Sequence, residues 1–251
     1  MKSLKDHLYR ELVPEIICQH QGDGPVIIGI TGNIASGKTT CAAEMSRVLT
    51  ELLPKQRLCK ISTDDFLMTN KTLREQGLFA RKGFPETYDA DRIAAFKRAV
   101  SHRQNLSLPV YDHQQDDLNK SRRLLINCPD IIILEGLMVL QPVFREICDE
   151  TIFLETTAAA NFQWYLDRCV ALGLPAVYQL EMDVFTALAT KTWHDVNVKN
   201  FEENVEPLRQ FASINVQLAA DHRMVNMTVR HPLTQVQRQD RRDIEISEAM
   251  K

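Results

Sequence analysis

The chain has 251 residues, 44% hydrophobic and 25% charged, with 30 Lys+Arg against 33 Asp+Glu and a formal net charge of −3. That composition can build an apolar core without disulfides or metal, and so small a net charge gives no global pull toward nucleic acid or an anionic membrane. The longest apolar stretches, such as Pro25–Ile28 and Ile131–Leu134, fall far below the ~20 residues of a spanning helix.

The basic N-terminus has no apolar run behind it, so no secretory signal is expected. Cys18, Cys41, Cys59, Cys128, Cys148 and Cys169 show no metal-ligand spacing. Reduced, mostly buried thiols in a cytoplasmic protein are expected. No repeat or linker divides the chain, which predicts one domain over residues 1–251 with a short helical extension at about 1–24.

In chain order, the continuously apolar run Val26–Thr31 predicts a strand buried on both faces. Lys38–Leu53 follows with helical spacing of Met45, Val48, Leu49 and Leu52. Arg57–Ser62 reads as a second strand and Asp91–His102 as a helix. Leu106–Tyr111 and Arg122–Ile126 read as a short β excursion around a polar loop. Ile131–Leu134 and Thr151–Leu154 are further strands, and Phe162–Leu172 is a helix. Val177–Phe201 has mixed polarity but looks helical, and Ser213–Leu218 with Met224–Val229 reads as an edge hairpin. Strands alternating with helices imply an α/β fold, a mainly parallel sheet flanked by helices in three layers. Ligands in such sheets sit at the carboxyl ends of the strands.

Gly32-Asn33-Ile34-Ala35-Ser36-Gly37-Lys38-Thr39, followed by Thr40, fits G-x-x-x-x-G-K-[ST] between a strand and a helix. Its glycines allow a tight turn whose N–H groups face a polyphosphate, Lys38 reaches the β- and γ-phosphates, and Thr39 ligates Mg²⁺. No base-reading N/T-K-x-D segment follows, so a switch GTPase is excluded. A kinase also needs carboxylates. Ser62-Thr63-Asp64-Asp65-Phe66 ends the second strand, where one aspartate can accept the proton of an attacking hydroxyl. The other is expected to cap the turn or face solvent. Glu135 ends Ile131–Leu134, placed to hold the metal through water. Arg168 is a candidate to meet the charge developing on the transferred phosphoryl group.

Further segments bear a resemblance. Lys82-Gly83-Phe84-Pro85-Glu86-Thr87-Tyr88-Asp89 resembles K-G-F-P-E-S-Y-D, Pro109-Val110-Tyr111-Asp112-His113 resembles P-V-Y-S-H, and residues 133–141 resemble I-L-E-G-L-N-V-L-Q. Residues 164–168 resemble W-Y-I-N-R, and residues 193–197 resemble W-K-E-I-N. These are segments of the bacterial type I pantothenate kinases, in the phosphoribulokinase/uridine kinase group of P-loop proteins. The resemblance implies an ATP- and Mg²⁺-dependent kinase of a small-molecule hydroxyl, with pantothenate as acceptor and a homodimer formed through a long helix. Residue by residue, it implies Asp64 as the base, and Tyr111, His113, Tyr165 and Asn197 as acceptor-binding groups. It implies His222 near the adenine.

The chain departs from the family near Asp116, which replaces a tyrosine, and between Arg168 and Trp193, where it is shorter. It also has Ala43 where the family carries a basic residue tied to coenzyme A feedback. An intact phosphotransfer apparatus with an altered acceptor pocket is therefore expected. The alternatives left open are a kinase of glycerate, a nucleoside or a sugar, and a non-catalytic nucleotide-binding regulator.

Overall fold

The structure is a computed structural model that describes residues 3–230. The expected domain range of 1–251 runs outside the described residues at 1–2 and 231–251. A helix over residues 4–19 (α1), widened to π-type geometry across Leu8–Leu12, precedes the first strand. A six-stranded sheet of order β2-β5-β1-β6-β7-β8 forms the centre. It consists of β1 (Val26–Gly32), β2 (Leu58–Ser62), β5 (Ile131–Glu135), β6 (Glu150–Glu155), β7 (Ile214–Leu218) and β8 (Met224–Val229). All pairs are parallel except β7 with β8.

Every residue of β1 and of β5 is buried, because both faces of the sheet are covered. On one face Ile28, Ile30, Ile133 and Leu154 meet Met45, Val48 and Leu49 of α2 (Lys38–Leu52) and Leu8 and Val13 of α1. On the other, Ile27, Ile132 and Leu134 pack on Phe66, Phe144 and the Ile93 and Phe96 side chains of α4 (Ala90–Ser101), beyond the short α3 (Asn70–Glu75). Phe66 anchors that layer, with ring centroids 5.3 Å from Phe96 and 5.2 Å from Phe144. Apolar side chains on alternate sides of the same strands thus give the three layers.

Outside this sheet, β3 (Leu106–Asp112) and β4 (Asp117–Ile126) form an antiparallel two-stranded ribbon. The second strand was expected only from Arg122. It begins at Asp117 because ribbon pairing needs no buried face, so its polar first half carries no apolar pattern. The helix expected from Phe162 begins a turn earlier, at Ala158 (α5, Ala158–Ala171), with Thr157 Oγ1 accepting the Ala160 N–H at 3.3 Å. The helical reading of Val177–Phe201 is interrupted at Tyr178–Glu181. It resumes as α6 (Met182–Thr192) and runs on through π-type turns at Trp193–Val198 and Phe201–Val205. All six cysteines are free thiols, but only Cys41 and Cys169 are buried, so the expectation that most are buried is corrected. Among the described residues no helix is long and apolar enough to cross a membrane.

Candidate active site

The carboxyl ends of β1, β2 and β5 open into a cavity of about 970 Å³, large enough for a nucleotide and a small second substrate. The turn after β1 is shaped by close packing. Gly32 has φ of 145°, and a Cβ there would come within 2.3 Å of the Leu154 carbonyl. Asn161 of α5 braces the loop by donating to the Ile34 carbonyl at 2.8 Å. The helix α2 starts at Gly37 without a side-chain cap, so its first N–H groups stay available to an anion at the positive end of the helix. Ser36 Oγ, buried in the loop, has no hydrogen-bond partner among the described residues, as expected of a cradle built for a polar ligand.

Lys38 is buried and folds over the loop, donating to the Asn33 carbonyl at 2.7 Å and the Gly32 carbonyl at 3.3 Å. Burial lowers its pKa to about 8, Glu135 and Asp64 pull it back up, and Arg168 pushes it further down. One ammonium therefore feels both carboxylates and the guanidinium across the cavity. Thr39 Oγ1 donates to Glu135 Oε1 at 2.9 Å, and Glu135 is only 6% exposed. Burial raises the Glu135 pKa, and Lys38 opposes that shift. A hydroxyl and a carboxylate are hard oxygen donors that fit Mg²⁺. No group of three or more His, Cys, Asp or Glu side chains among the described residues could hold a metal alone, so such an ion would take its other ligands from phosphates and water.

After β2 the chain makes a 3-10 turn over Thr63–Phe66 that separates two adjacent aspartates. Asp65 turns inward, its carboxylate accepting N–H bonds from Tyr111 at 2.7 Å and Ser62 at 3.4 Å. Asp64 lines the cavity. Gly136 locks this turn against the end of β5: its φ is 144°, and a Cβ there would overlap Thr63 Oγ1 at 1.8 Å. Burial raises the Asp65 pKa to about 6, against the lowering by its two N–H bonds. An acid whose pKa is higher folded than unfolded holds its proton longer in the folded state, so stability falls as pH rises from about 4 to about 6. In urea unfolding, the stability of the wild type relative to Asp65→Asn is expected to fall as pH rises from about 4 to about 6. Equal slopes would remove Asp65 from that account.

Of the other expected residues, Ile34, Ala35, Gly37, Thr40, Tyr111, His113, Arg168, Asn197 and His222 line the same cavity. Gly32, Asn33 and Ser36 form the loop beneath it. Tyr165 is not in the lining; its ring lies 5.0 Å from that of Trp193. His222 sits in the β7–β8 turn with φ of 65° and stacks on Trp164 at 4.0 Å. Burial lowers the His113 pKa, Asp64 raises it, and Arg168 lowers it again.

Among the lining residues that sequence reasoning did not assign to the site are Tyr9, Lys82 and Asp116. Tyr9 brings α1 to the cavity and donates to Cys41 Sγ at 3.1 Å. The Cys41 thiol, in the first turn of α2, is pushed up to about 12 by burial and is a packing group. Lys82 lay within a quoted segment, but nothing in its type marked it as a cavity residue.

The Phosphoribulokinase / Uridine kinase family matches residues 27–172. The pantothenate kinase of Enterococcus faecalis is 37% identical over 216 residues, covering 79% of this chain and 70% of that protein. The pantothenate kinase of Lactococcus lactis subsp. cremoris is 33% identical over 214 residues, with 79% and 70% covered. Among solved structures, the D-glycerate 3-kinase of Cryptococcus neoformans var. grubii superposes with a TM-score of 0.64 at 12% identity, covering 91% of this chain and 100% of that one. That last likeness concerns the fold alone.

Proposed function

Because this chain belongs to the phosphoribulokinase/uridine kinase family and is a phosphotransferase acting on an alcohol group, we propose that it phosphorylates the primary hydroxyl of pantothenate in the cytoplasm, using ATP and Mg²⁺. The observation that carries this reading is the meeting of Lys38, Glu135, Arg168 and Asp64 around one cavity at the strand ends. Relatives named pantothenate kinase, matched over most of both chains, supply the acceptor.

In this reading Asp64 orients the acceptor hydroxyl and takes its proton as the oxygen attacks the γ-phosphorus and the bond to the ADP leaving group breaks. Lys38 and the amides at the start of α2 hold the phosphates, and Arg168 meets the charge spread over the phosphoryl oxygens. Thr39, and Glu135 through a bound water, would hold Mg²⁺, which would neutralise phosphate charge. His222 and Trp164 border the nucleoside side. Tyr111, His113 and Asn197 border the acceptor, and Tyr165 lies outside the cavity lining, packed against Trp193.

The test is ADP release from ATP and Mg²⁺ with pantothenate, glycerate, nucleosides and sugars offered singly. Pantothenate is expected to stimulate release most strongly, yielding 4'-phosphopantothenate. Stronger stimulation by another acceptor, or no stimulation by any, overturns the assignment.

A further inference from the structure

The acceptor side of the cavity contains a charged network that phosphoryl transfer does not use. Asp116 lies in the β3–β4 turn with φ of 50°, a left-handed conformation that aspartate tolerates better than most residues. Its Oδ1 accepts the Tyr111 hydroxyl at 2.7 Å and lies 3.2 Å from Lys82 Nζ. Lys82 also donates to Asn70 Oδ1 at 2.8 Å and to the Asp116 carbonyl. The lysine side chain is 13% exposed, while that of Asp116 is 53% exposed. Lys82 thus donates two hydrogen bonds, to Asn70 and to the Asp116 backbone, and is ion-paired with the Asp116 carboxylate, all within this chain. Lys82, Tyr111 and Asp116 nonetheless all line the cavity.

We propose that Asp116 tempers the charge preference of the acceptor site: by holding the Lys82 ammonium and the Tyr111 hydroxyl, it lowers the site's preference for an acceptor ending in a carboxylate relative to the neutral amide of the same acceptor. This rests on the pantothenate reading, since that acceptor ends in a carboxylate. With Asp116 ionised, it and Lys82 form a neutral pair, and an arriving carboxylate must compete with one already in place. A neutral amide tail meets no such competitor, and its N–H can donate to the exposed Asp116 oxygen. Removing the Asp116 charge alone would leave the Lys82 ammonium with only the weaker influence of Asp117 and Asp64 and turn the partly hydrated cleft toward anions.

The experiment compares kcat/KM for pantothenate and for its neutral primary carboxamide in the wild type, Asp116→Asn, Asp116→Glu and the double variant Lys82→Gln/Asp116→Asn. Asparagine also tolerates the left-handed turn, and thermal melts check that each variant is folded. Asp116→Asn is expected to raise the pantothenate-to-carboxamide ratio about tenfold, the size of one unit charge acting across such a cleft. Asp116→Glu should leave the ratio near the wild-type value, and the double variant should cancel the gain. An unchanged ratio in Asp116→Asn, or a gain that persists without Lys82, overturns the proposal. If the wild type phosphorylates neither compound, the pantothenate reading fails, and calorimetric binding of the same two compounds decides this one. A tenfold relative shift in affinity supports it, and equal or undetectable binding overturns it.

Discussion

Replacing Asp64 with asparagine is expected to lower kcat by roughly a thousandfold, the middle of the range for a positioned general base. The affinity for ATP should stay within about twofold, because the phosphates are held by Lys38 and the start of α2 rather than by this side chain. The geometry motivates the split. Asp64 comes from the turn after β2, held by Ser62 Oγ, which accepts the Asp64 N–H at 3.2 Å, and by the inward-facing Asp65. The substitution keeps the shape of that turn and removes only the ability to accept a proton. Steady-state ADP release and calorimetric ATP titration separate the two quantities. Equal turnover in both proteins would take the base role away from Asp64.

Arg168→Ala is expected to cost about a thousandfold in kcat, the lower end for an arginine that meets phosphoryl charge in transit. Arg168 lines the cavity from the last turn of α5, and its charge acts on both Lys38 and His113. It therefore lies between the phosphate cradle and the acceptor wall. Arg168→Lys should recover a fraction of the loss, because an ammonium restores charge without the planar fork. If Arg168→Ala instead raises KM for ATP with kcat unchanged, the guanidinium is a ground-state binding group.

The main sheet was legible because its signal is burial itself. Val26–Ile30 and Ile131–Leu134 are apolar at every position but Gly29, and only strands covered on both faces need that. The phosphate loop was legible because it demands glycine and lysine at fixed spacing. The first half of β4 was not, since Asp117, Asn119 and Lys120 are polar and present no apolar run, and Asn119 is tied to β3 by its side-chain hydrogen bond to Asp112. Nor were the π-type turns after Thr192, whose extra residue per turn shifts the apolar stripe off a helical period. At the site, the split between Asp64 and Asp65 was readable as a choice of two. Which of them turns inward depends on the Tyr111 N–H, 46 positions away, and no local pattern carries that. The Lys82–Asp116 pair was illegible for the same reason, since it joins a loop to a distant ribbon.

The β3–β4 ribbon belongs to no part of the central sheet, and it supplies Tyr111, His113 and Asp116 to the cavity. The phosphate loop and Glu135, by contrast, are anchored on strands buried on both faces. A ribbon from another small-molecule kinase could thus be grafted between α4 and β5 while the nucleotide half kept its scaffold. In such chimaeras the share of acceptor choice carried by Tyr111, His113 and Asp116 would travel with the transplanted hairpin, while that of Lys82 and Asn197 would stay with the host.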